Sequence, residues 1–241
     1  MAENVDGRHK PRVVEQLSSL CAAGRAGYLV LIDPDKWELA QLADIAAAAS
    51  EGGADAILIG GSLIMAANFD EMVRVIRSAA NVPCILFPGS VMQISKHADA
   101  ILFLSLVSGQ NPNYLIGEQM KAAPLIQHLG LEAIPTGYML IESGRVTSAE
   151  FMSNTRPIPR DKNDIAKATA LAAQYLGMQL VYLEAGSGAQ DPVALEMITA
   201  VSRYVSIPVI VGGGIRTPEH AAKCVAAGAS FVVTGNVLEN D

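Results

Sequence analysis

Eight short apolar runs, spaced along the whole chain, constrain its fold more than any other feature. They occupy residues 28–32, 56–59, 84–87, 100–104, 132–135, 179–183, 208–211 and 231–234. Runs rich in valine, isoleucine and leucine are typical of parallel strands that are buried on both faces. Alanine-rich segments with helical spacing separate most of them, at residues 37–50, 69–80, 113–129, 164–177, 192–204 and 218–227. Strands that alternate with helices predict a parallel sheet, and eight repeats predict an α/β fold closed into a (β/α)8 or TIM barrel.

The length and composition fit a single barrel. The chain has 241 residues and no evident linker, so we expect residues 1–241 to form one domain. Hydrophobic residues make up 51% and charged residues 17%, which indicates a large core wrapped by helices. The sequence ends shortly after the eighth run, so we expect the closing helix to be short or missing. A helix near residues 13–23 is then expected to help close the barrel.

Charge and hydropathy narrow the expected partners and location. The formal net charge is −7 and no run of lysine or arginine occurs, so we expect no nucleic-acid binding. No apolar stretch reaches the roughly 18 residues that a membrane span needs, and residues 1–10 are polar, so we expect a cytoplasmic protein. Cys21, Cys84 and Cys224 lie far apart in apolar surroundings, which predicts buried thiols rather than a disulfide or a metal site.

Three places depart from the regular alternation. Between residues 87 and 100 there is room only for an abbreviated helix, at 91–97. Pro124 is expected to kink or split the helix that contains it. The long gap after residue 137 predicts a hairpin of residues 138–142 and 145–147. It continues into the proline-containing loop 154–162, which we expect to cover the active site because long loops in compact barrels are often lids.

Glycines follow the last two strands and indicate what the protein binds. Gly212, Gly213 and Gly214 end the seventh run, and Gly235 and Asn236 follow the eighth. Glycine leaves backbone amides uncovered, and amides in these loops of a barrel form a phosphate-binding site. The sequence therefore predicts a phosphorylated small molecule as ligand.

The first two strands end in residues that suit a metal ion. Asp33 and Asp35 follow the first strand, and Gly60, Gly61 and Ser62 follow the second. Carboxylate and hydroxyl oxygens are ligands that Mg²⁺ accepts together with substrate phosphates. Asp33 and Ser62 are the metal candidates. The alternatives are that Asp35 caps the helix beginning near residue 37, that Asp33 only braces the turn, and that Gly-Gly-Ser is an ordinary tight turn.

The sixth strand ends in a carboxylate followed by a glycine-rich loop. Glu184, at the mouth of the predicted barrel, is placed to accept a proton from a bound hydroxyl, or else only to hydrogen-bond the substrate. Tyr182 shares a face of the strand with Glu184 and either contacts the substrate or fills a layer of the barrel. None of the four histidines has a partner at metal-ligand spacing, and no nucleophile motif is present.

With these residues in view, the sequence resembles the geranylgeranylglyceryl phosphate synthase family of prenyltransferases. The stretches that carry the resemblance span nearly the whole chain, at residues 31–36, 59–62, 135–142, 154–162, 182–188, 212–215 and 234–236. Glycine-rich loops occur in many barrels. The combination with Tyr-Leu-Glu-Ala-Gly-Ser-Gly at 182–188 and Asn-Thr-Arg-Pro-Ile-Pro at 154–159 is far more specific.

The resemblance implies transfer of a long prenyl chain, geranylgeranyl, from its diphosphate to the primary hydroxyl of sn-glycerol 1-phosphate. The family's Mg²⁺ positions fall on Asp33 and Ser62, and Glu184 would deprotonate the attacking hydroxyl. The family's glycerol phosphate positions fall on Tyr182, Leu183, Glu184, Ala185, Gly186, Ser187, Gly188, Gly213, Gly214, Gly235 and Asn236.

A prenyl chain also needs a long apolar groove, for which the small residues at 46–49, 66 and 67 and the stretch 102–107 are candidates. The alternative, which we favour for any single one of these residues, is ordinary packing of the barrel. The resemblance further implies a homo-oligomer and a peripheral contact with membranes through the lipid substrate.

Two other functions fit part of the pattern. A different phosphate-handling barrel enzyme, such as a sugar-phosphate isomerase or a relative of indole glycerol phosphate synthase, would share the glycine loops. It would need another acid or a lysine opposite Glu184. A non-catalytic module that binds a phosphorylated metabolite would keep the loops and could dispense with Asp33 and Glu184. Mg²⁺-dependent binding of a prenyl diphosphate separates both from the prenyltransferase.

Overall fold

The structure, a computed structural model, describes residues 12–235. Eight parallel strands form a closed barrel in chain order, and pairing of the first strand with the last completes it. The strands are β1 Gly27–Ile32, β2 Ala56–Ile59, β3 Cys84–Leu86, β4 Ala100–Leu106, β5 Glu132–Leu140, β6 Leu180–Glu184, β7 Val209–Gly212 and β8 Phe231–Thr234. The eight predicted strands and the (β/α)8 fold are confirmed.

Helices surround the barrel between most strands. They are α1 Val13–Ala22, α2 Leu39–Glu51, α3 Phe69–Ala79, α4 Glu118–Leu129, α5 Ser148–Ser153, α6 Asn163–Tyr175, α7 Leu195–Ser202 and α8 Pro218–Ala226. None of the helices between residues 12 and 235 has the length and apolar character that a membrane span requires.

Pro124 does not split its helix, because α4 continues through this residue. Pro124 is exposed, so the carbonyl that loses its hydrogen-bond donor can be solvated instead. The irregularity lies just before α4, where Asn113–Gly117 forms one turn of π-helix. Turns of this kind often occur at functional sites.

The N-terminal helix α1 closes one end of the barrel, as expected. Val13 and Leu17 are buried and pack with residues of the barrel interior, among them Leu29 and Leu58. The Glu132 carboxylate accepts hydrogen bonds of 2.7 and 3.1 Å from the first two amides of α1. A carboxylate at a helix N-terminus is favourable because the amides there lack helical partners. The expectation about the closing helix falls on residues 236–241, outside the described part of the chain.

Between β3 and β4 the helix is replaced by a single 3-10 turn, Val91–Gln93, which is shorter than the predicted 91–97. The backbone returns to an extended conformation at Ile94. The buried Gln93 side chain donates a hydrogen bond of 2.8 Å to the Gly61 carbonyl and accepts one of 3.2 Å from the Gly89 amide.

The hairpin predicted at residues 138–142 and 145–147 is wrong. Residues up to Leu140 belong to β5, and Ile141 pairs in parallel with Ile158 instead. The Ile158 amide donates to the Leu140 carbonyl, and Glu142 donates to the Ile158 carbonyl, so the loop 154–162 extends the sheet. The predicted hairpin requires a local turn at Ser143 and Gly144. Burial of Ile158 favours the pairing of Ile141 with this distant residue instead.

Cys21, Cys84 and Cys224 form no disulfide within residues 12–235. Cys84 and Cys224 are buried as predicted, and Cys21 is only partly covered.

Candidate active site

A cavity of about 610 Å³ lies at the carboxyl-terminal ends of the strands. This is the end at which (β/α)8 barrels carry their active sites. Most of the residues predicted from the sequence line it together, namely Asp33, Ser62, Tyr182, Glu184, Gly186, Ser187, Gly188, Gly213, Gly214 and Gly235. The structure thus brings the metal candidates, the candidate base and the glycine loops into one space.

Two predicted ligand contacts have side chains that face away from the cavity. Leu183 and Ala185 alternate with Tyr182 and Glu184 along the chain and pack in the apolar layer between barrel and helices. They can meet a ligand only through their backbone. Asn236 lies outside the described residues, so its role stays a prediction.

Glu184 is the last residue of β6, and its side chain is buried in the floor of the cavity with 6% of its surface exposed. Its Oε1 accepts a hydrogen bond of 2.6 Å from the Gly186 amide. Burial disfavours the charged carboxylate and raises its pKa to about 7, although the Gly186 amide and the nearby Tyr182 hydroxyl favour the charged form. A carboxyl group with a pKa near neutrality can both take and release a proton at physiological pH.

Three aromatic rings pack under the cavity. Phe87 and Tyr182 are stacked, with centroids 5.3 Å apart and planes 7° apart, and Tyr138 meets both edge-on at 5.7 and 5.4 Å. Tyr182 is fully buried, and its hydroxyl has no hydrogen-bond partner among the described residues. Burial and the Glu184 charge raise the pKa of both tyrosines well above 10, so both hydroxyls stay protonated and can donate. An unpaired buried hydroxyl beside a carboxylate indicates a place for a polar ligand.

Phe87 and Tyr138 line the cavity but are absent from the sequence-based site. Tyr138 of β5 pairs in register with Tyr182 of β6. The sequence pattern instead predicts that residue 138 begins a hairpin. Correct placement of β5 would have put both tyrosines on the same inward face.

The glycine loops after β6 and β7 lie against each other. Gly186, Gly213 and Gly214 have φ angles of 98°, 83° and 72°, which side-chain-bearing residues rarely adopt. A Cβ on Gly213 would lie 2.5 Å from Oε1 of Glu184 and 2.5 Å from the Gly186 amide nitrogen. Glycine is therefore required at Gly213 by both conformation and space, and the bare backbone leaves room for an anion beside Glu184.

Asp33 lies beside the loop that carries Ser62. The Asp33 carboxylate is next to Gly61, where an added Cβ would be 3.2 Å from it. One oxygen also accepts a hydrogen bond from the Asp35 amide at 3.3 Å, and Lys36 lies 3.7 Å from the other. Asp33 thus braces its turn, as one alternative held, and also faces the cavity.

Asp35 has a different structural role from the one considered. It does not cap α2, whose N-terminal flanking residue is Glu38. Its carboxylate accepts hydrogen bonds from the amides of Met65 and Ala66, in the loop after β2. Asp35 therefore fixes that loop.

A carboxylate and a hydroxyl at neighbouring strand ends are a donor set that fits Mg²⁺, which takes one or two protein ligands and completes its shell with water and phosphate. Within residues 12–235, no group of three or more His, Cys, Asp or Glu side chains converges.

Part of the cavity lining is apolar, and we call this part the apolar arm. It runs between β4 and α4 and is lined by Ile94, Ile101, Phe103, Ala122 and Ile126. Leu102, Leu104 and Leu106 also contribute, as expected for part of the stretch 102–107.

For residues 46–49, 66 and 67 the structure agrees with the alternative of ordinary packing. Ala46 and Ala49 are buried in the core between α2 and the barrel, and none of these residues reaches the cavity.

No residue of the loop 154–162 lines the cavity, so its role as a cover stays a prediction. Ile158 is buried and extends the sheet by pairing with Ile141. The preceding helix α5 contributes instead, through Ser148, Ala149, Met152 and Ser153. Asn111 and Tyr114 hold its end by donating to the carbonyls of Ser153 and Met152 at 2.7 and 3.1 Å.

A closed barrel with glycine loops around a buried carboxylate defines the class of phosphate-binding (β/α)8 barrel proteins. Within this class the chain belongs to the PcrB family, which it matches over residues 22–241. It is 47% identical over 220 residues to a geranylgeranylglyceryl phosphate synthase of Chitinophaga pinensis, covering 91% of this chain and 87% of the relative. A synthase of Methanothermobacter marburgensis is 46% identical over 213 residues, covering 88% of this chain and 86% of the relative. The family resemblance is confirmed.

Solved structures agree. The crystal structure of (S)-3-O-geranylgeranylglyceryl phosphate synthase from Thermoplasma acidophilum, in complex with substrate sn-glycerol-1-phosphate, superposes with a TM-score of 0.91. That chain is 37% identical, and the match covers 96% of this chain and 93% of the other. An N-acetylmannosamine-6-phosphate 2-epimerase from Clostridium perfringens, 16% identical over 97% of this chain and 93% of the other with a TM-score of 0.62, shares the fold alone.

Proposed function

We propose that the protein transfers a long prenyl group, geranylgeranyl, from its diphosphate to the primary hydroxyl of sn-glycerol 1-phosphate, which yields a precursor of ether lipids. The observation that carries this proposal is the buried Glu184 carboxylate, held between two glycine loops at the mouth of the barrel. The names of the relatives and the glycerol phosphate complex of the Thermoplasma acidophilum enzyme support it.

The glycerol phosphate lies, in this proposal, against the loops after β6, β7 and β8. Backbone amides near Gly186, Gly213 and Gly235 donate to its phosphate. The unpaired Tyr182 hydroxyl donates to an oxygen of the same substrate. Glu184 then faces the primary hydroxyl and removes its proton as the oxygen attacks C1 of the prenyl chain. The bond between C1 and the diphosphate oxygen breaks, and its electron pair leaves with the diphosphate.

Asp33 and Ser62 hold Mg²⁺ in this proposal. The metal, when bound, neutralises the charge that develops on the departing diphosphate. Asp33 would supply an anionic ligand and Ser62 a neutral oxygen, which is a donor set that suits Mg²⁺.

The apolar arm between β4 and α4 receives the prenyl chain. Ile101, Phe103, Ala122 and Ile126 present hydrocarbon surface along it. Burial of an apolar chain there releases water from both surfaces and contributes about 25 cal/mol per Å² removed from water. The arm thus supplies affinity for the donor, while the polar end of the cavity orients its diphosphate.

Incubation with labelled sn-glycerol 1-phosphate, Mg²⁺ and prenyl diphosphates of several lengths tests the proposal. Organic-soluble product is expected from the native protein and should be lost in Glu184→Ala. Glu51→Ala, at the exposed end of α2, is the matched control and should retain activity. Tight binding of glycerol phosphate without product from any donor would favour a binding module, whereas isomerisation of a sugar phosphate would favour the other barrel enzyme.

We further expect the protein to form a homo-oligomer, to reside in the cytoplasm and to contact membranes peripherally as it collects its lipid substrate. Analytical ultracentrifugation, cell fractionation and flotation with lipid vesicles test these three expectations.

A further inference from the structure

Positive charge is scarce in the cavity, although the proposed substrates are both anions. Among the described residues that line it, only Lys36 and Arg216 are cationic, whereas Asp33, Glu118 and Glu184 are acidic. Glycine amides are neutral dipoles, and a phosphate monoester carries a charge of about −1.5 to −2 near pH 7. A cationic side chain would therefore favour the binding of each anion beside these carboxylates, in addition to the proposed Mg²⁺ at the diphosphate.

Arg216 lies at the glycerol phosphate end of the cavity. It follows Gly214 by two residues, and its Nη2 donates a hydrogen bond of 2.6 Å to the Ala189 carbonyl. Ala189 comes directly after Gly188 in the loop after β6. The Arg216 side chain thus spans the two glycine loops, and a guanidinium with five N–H groups has donors left for a phosphate.

Lys36 lies at the metal end of the cavity. It follows β1, and its Nζ is 3.7 Å from Oδ2 of Asp33, the proposed Mg²⁺ ligand. An ammonium beside a metal-binding carboxylate faces the same space as the oxygens that such a metal would bind. A lysine acts there as a compact point charge without a fixed orientation.

We infer that Arg216 binds the phosphate of the acceptor and that Lys36 binds the diphosphate of the donor, so that each cation serves one substrate. This inference rests on the proposed function. The assignment follows from the anchoring of each side chain, Arg216 to the glycine loops and Lys36 to Asp33. Because each cation contacts one substrate, each variant is the control for the other.

Steady-state kinetics with both substrates varied test the division. Arg216→Gln is expected to raise KM for glycerol phosphate about ten-fold and to change KM for the prenyl diphosphate less than two-fold. Lys36→Gln should show the reverse. Arg216→Lys and Lys36→Arg, which keep the charge, should recover part of each loss, more at Lys36 because a point charge needs no fork geometry.

Binding provides a readout that does not depend on turnover. Calorimetric titration with sn-glycerol 1-phosphate alone should show weaker binding to Arg216→Gln only. Titration with inorganic pyrophosphate and Mg²⁺ should show weaker binding to Lys36→Gln only. The difference from the native protein should shrink as salt rises towards 1 M, because charge interactions are then screened within about 3 Å.

Arg160→Gln is the matched control for a purely structural effect. Arg160 also donates to a carbonyl of the β6–α7 loop, that of Pro192, but it does not line the cavity. This variant should leave both KM values unchanged. A rise in both KM values in Arg216→Gln, or the same profile in Arg160→Gln, would overturn the inference. An inactive native protein would refute the proposed function, while the two titrations would still decide the roles of Arg216 and Lys36.

Discussion

The backbone amide of Gly186 donates a hydrogen bond of 2.6 Å to Oε1 of Glu184, the residue two positions before it. Gly213 passes the same oxygen so closely that an added Cβ would be 2.5 Å away. The candidate base and the loops that hold the anion are therefore one unit. A change in either moves the other.

Glu184→Gln should lower kcat by about 10²–10⁴, the range typical of a lost general base, while KM for glycerol phosphate changes little. The pKa of Glu184 is raised to about 7, so kcat/KM of the native protein should rise with pH up to about 7 and then level off. Initial rates between pH 5 and 9 measure this profile. A profile that is flat through pH 7, or a variant with native kcat, would show that Glu184 only binds the substrate.

The same carboxyl group should make stability depend on pH. Burial raises its pKa from 4.5 to about 7, so the folded state holds the proton more tightly than the unfolded chain does. This contribution to stability is fully present below about pH 4.5 and is lost as pH rises through 7. Native protein should therefore lose roughly 3 kcal/mol between pH 4.5 and 8 through this group, at about 1.4 kcal/mol per pH unit between the two pKa values.

Urea unfolding at pH 5 and pH 8 measures the effect. The free energy of unfolding of Glu184→Gln, relative to that of the native protein, should be higher at pH 8 than at pH 5. Glu51→Gln should have the same free energy of unfolding as the native protein at both pH values. Equal differences at pH 5 and pH 8 would mean that the pKa of Glu184 is not raised by folding.

Gly213→Ala should abolish glycerol phosphate binding, because a Cβ there collides with Glu184 and Gly186. Gly177→Ala is the matched control, since its φ of 90° is similar to the 83° of Gly213 and nothing lies within 4 Å of an added Cβ. Backbone strain should cost both variants about 1 kcal/mol of stability, and the collision should cost Gly213→Ala more. Calorimetric titration should show binding lost in Gly213→Ala only, and retained binding would place the phosphate elsewhere.

Asp33→Asn should raise the Mg²⁺ concentration needed for half-maximal activity at least ten-fold, because the variant loses the anionic ligand. Asp35→Asn differs by the same change of charge two residues away, at a carboxylate that only fixes the loop after β2. It should lose stability but keep the native Mg²⁺ dependence. Mg²⁺ titrations of initial rate and of pyrophosphate binding compare the two, and activity that survives EDTA would contradict the metal site.

The features predicted correctly from the sequence are those that short stretches encode. Each strand is a continuous apolar run, so its place depended on no distant partner. Glu184 was visible because it ends such a run directly before a glycine loop. The backbone consequences of Gly213 and Gly214 follow from residue type in the same way.

The errors concern partners that lie far apart in sequence. Ile141 pairs with Ile158 instead of forming the hairpin predicted around Ser143, and no pattern within residues 138–147 encodes that pairing. Asp35 turns to amides at positions 65 and 66 rather than to the adjacent helix. Tyr138 acquires its place in the site only through its register with Tyr182. Each case depends on tertiary contacts that override a local signal.

Helix α1, through Leu17 and through its first amides bonded to Glu132, covers the amino-terminal end of the barrel. The cavity lies at the opposite end, so we expect substrates to enter and product to leave there. The ether product carries both the acceptor phosphate and the long prenyl tail, so it must leave by the same end of the cavity at which its two precursors entered. A new donor molecule cannot bind until the prenyl tail of the product has left the part of the cavity lined by Ile126. Turnover would then be paced by the exit of the tail, and accumulated product would compete with the donor.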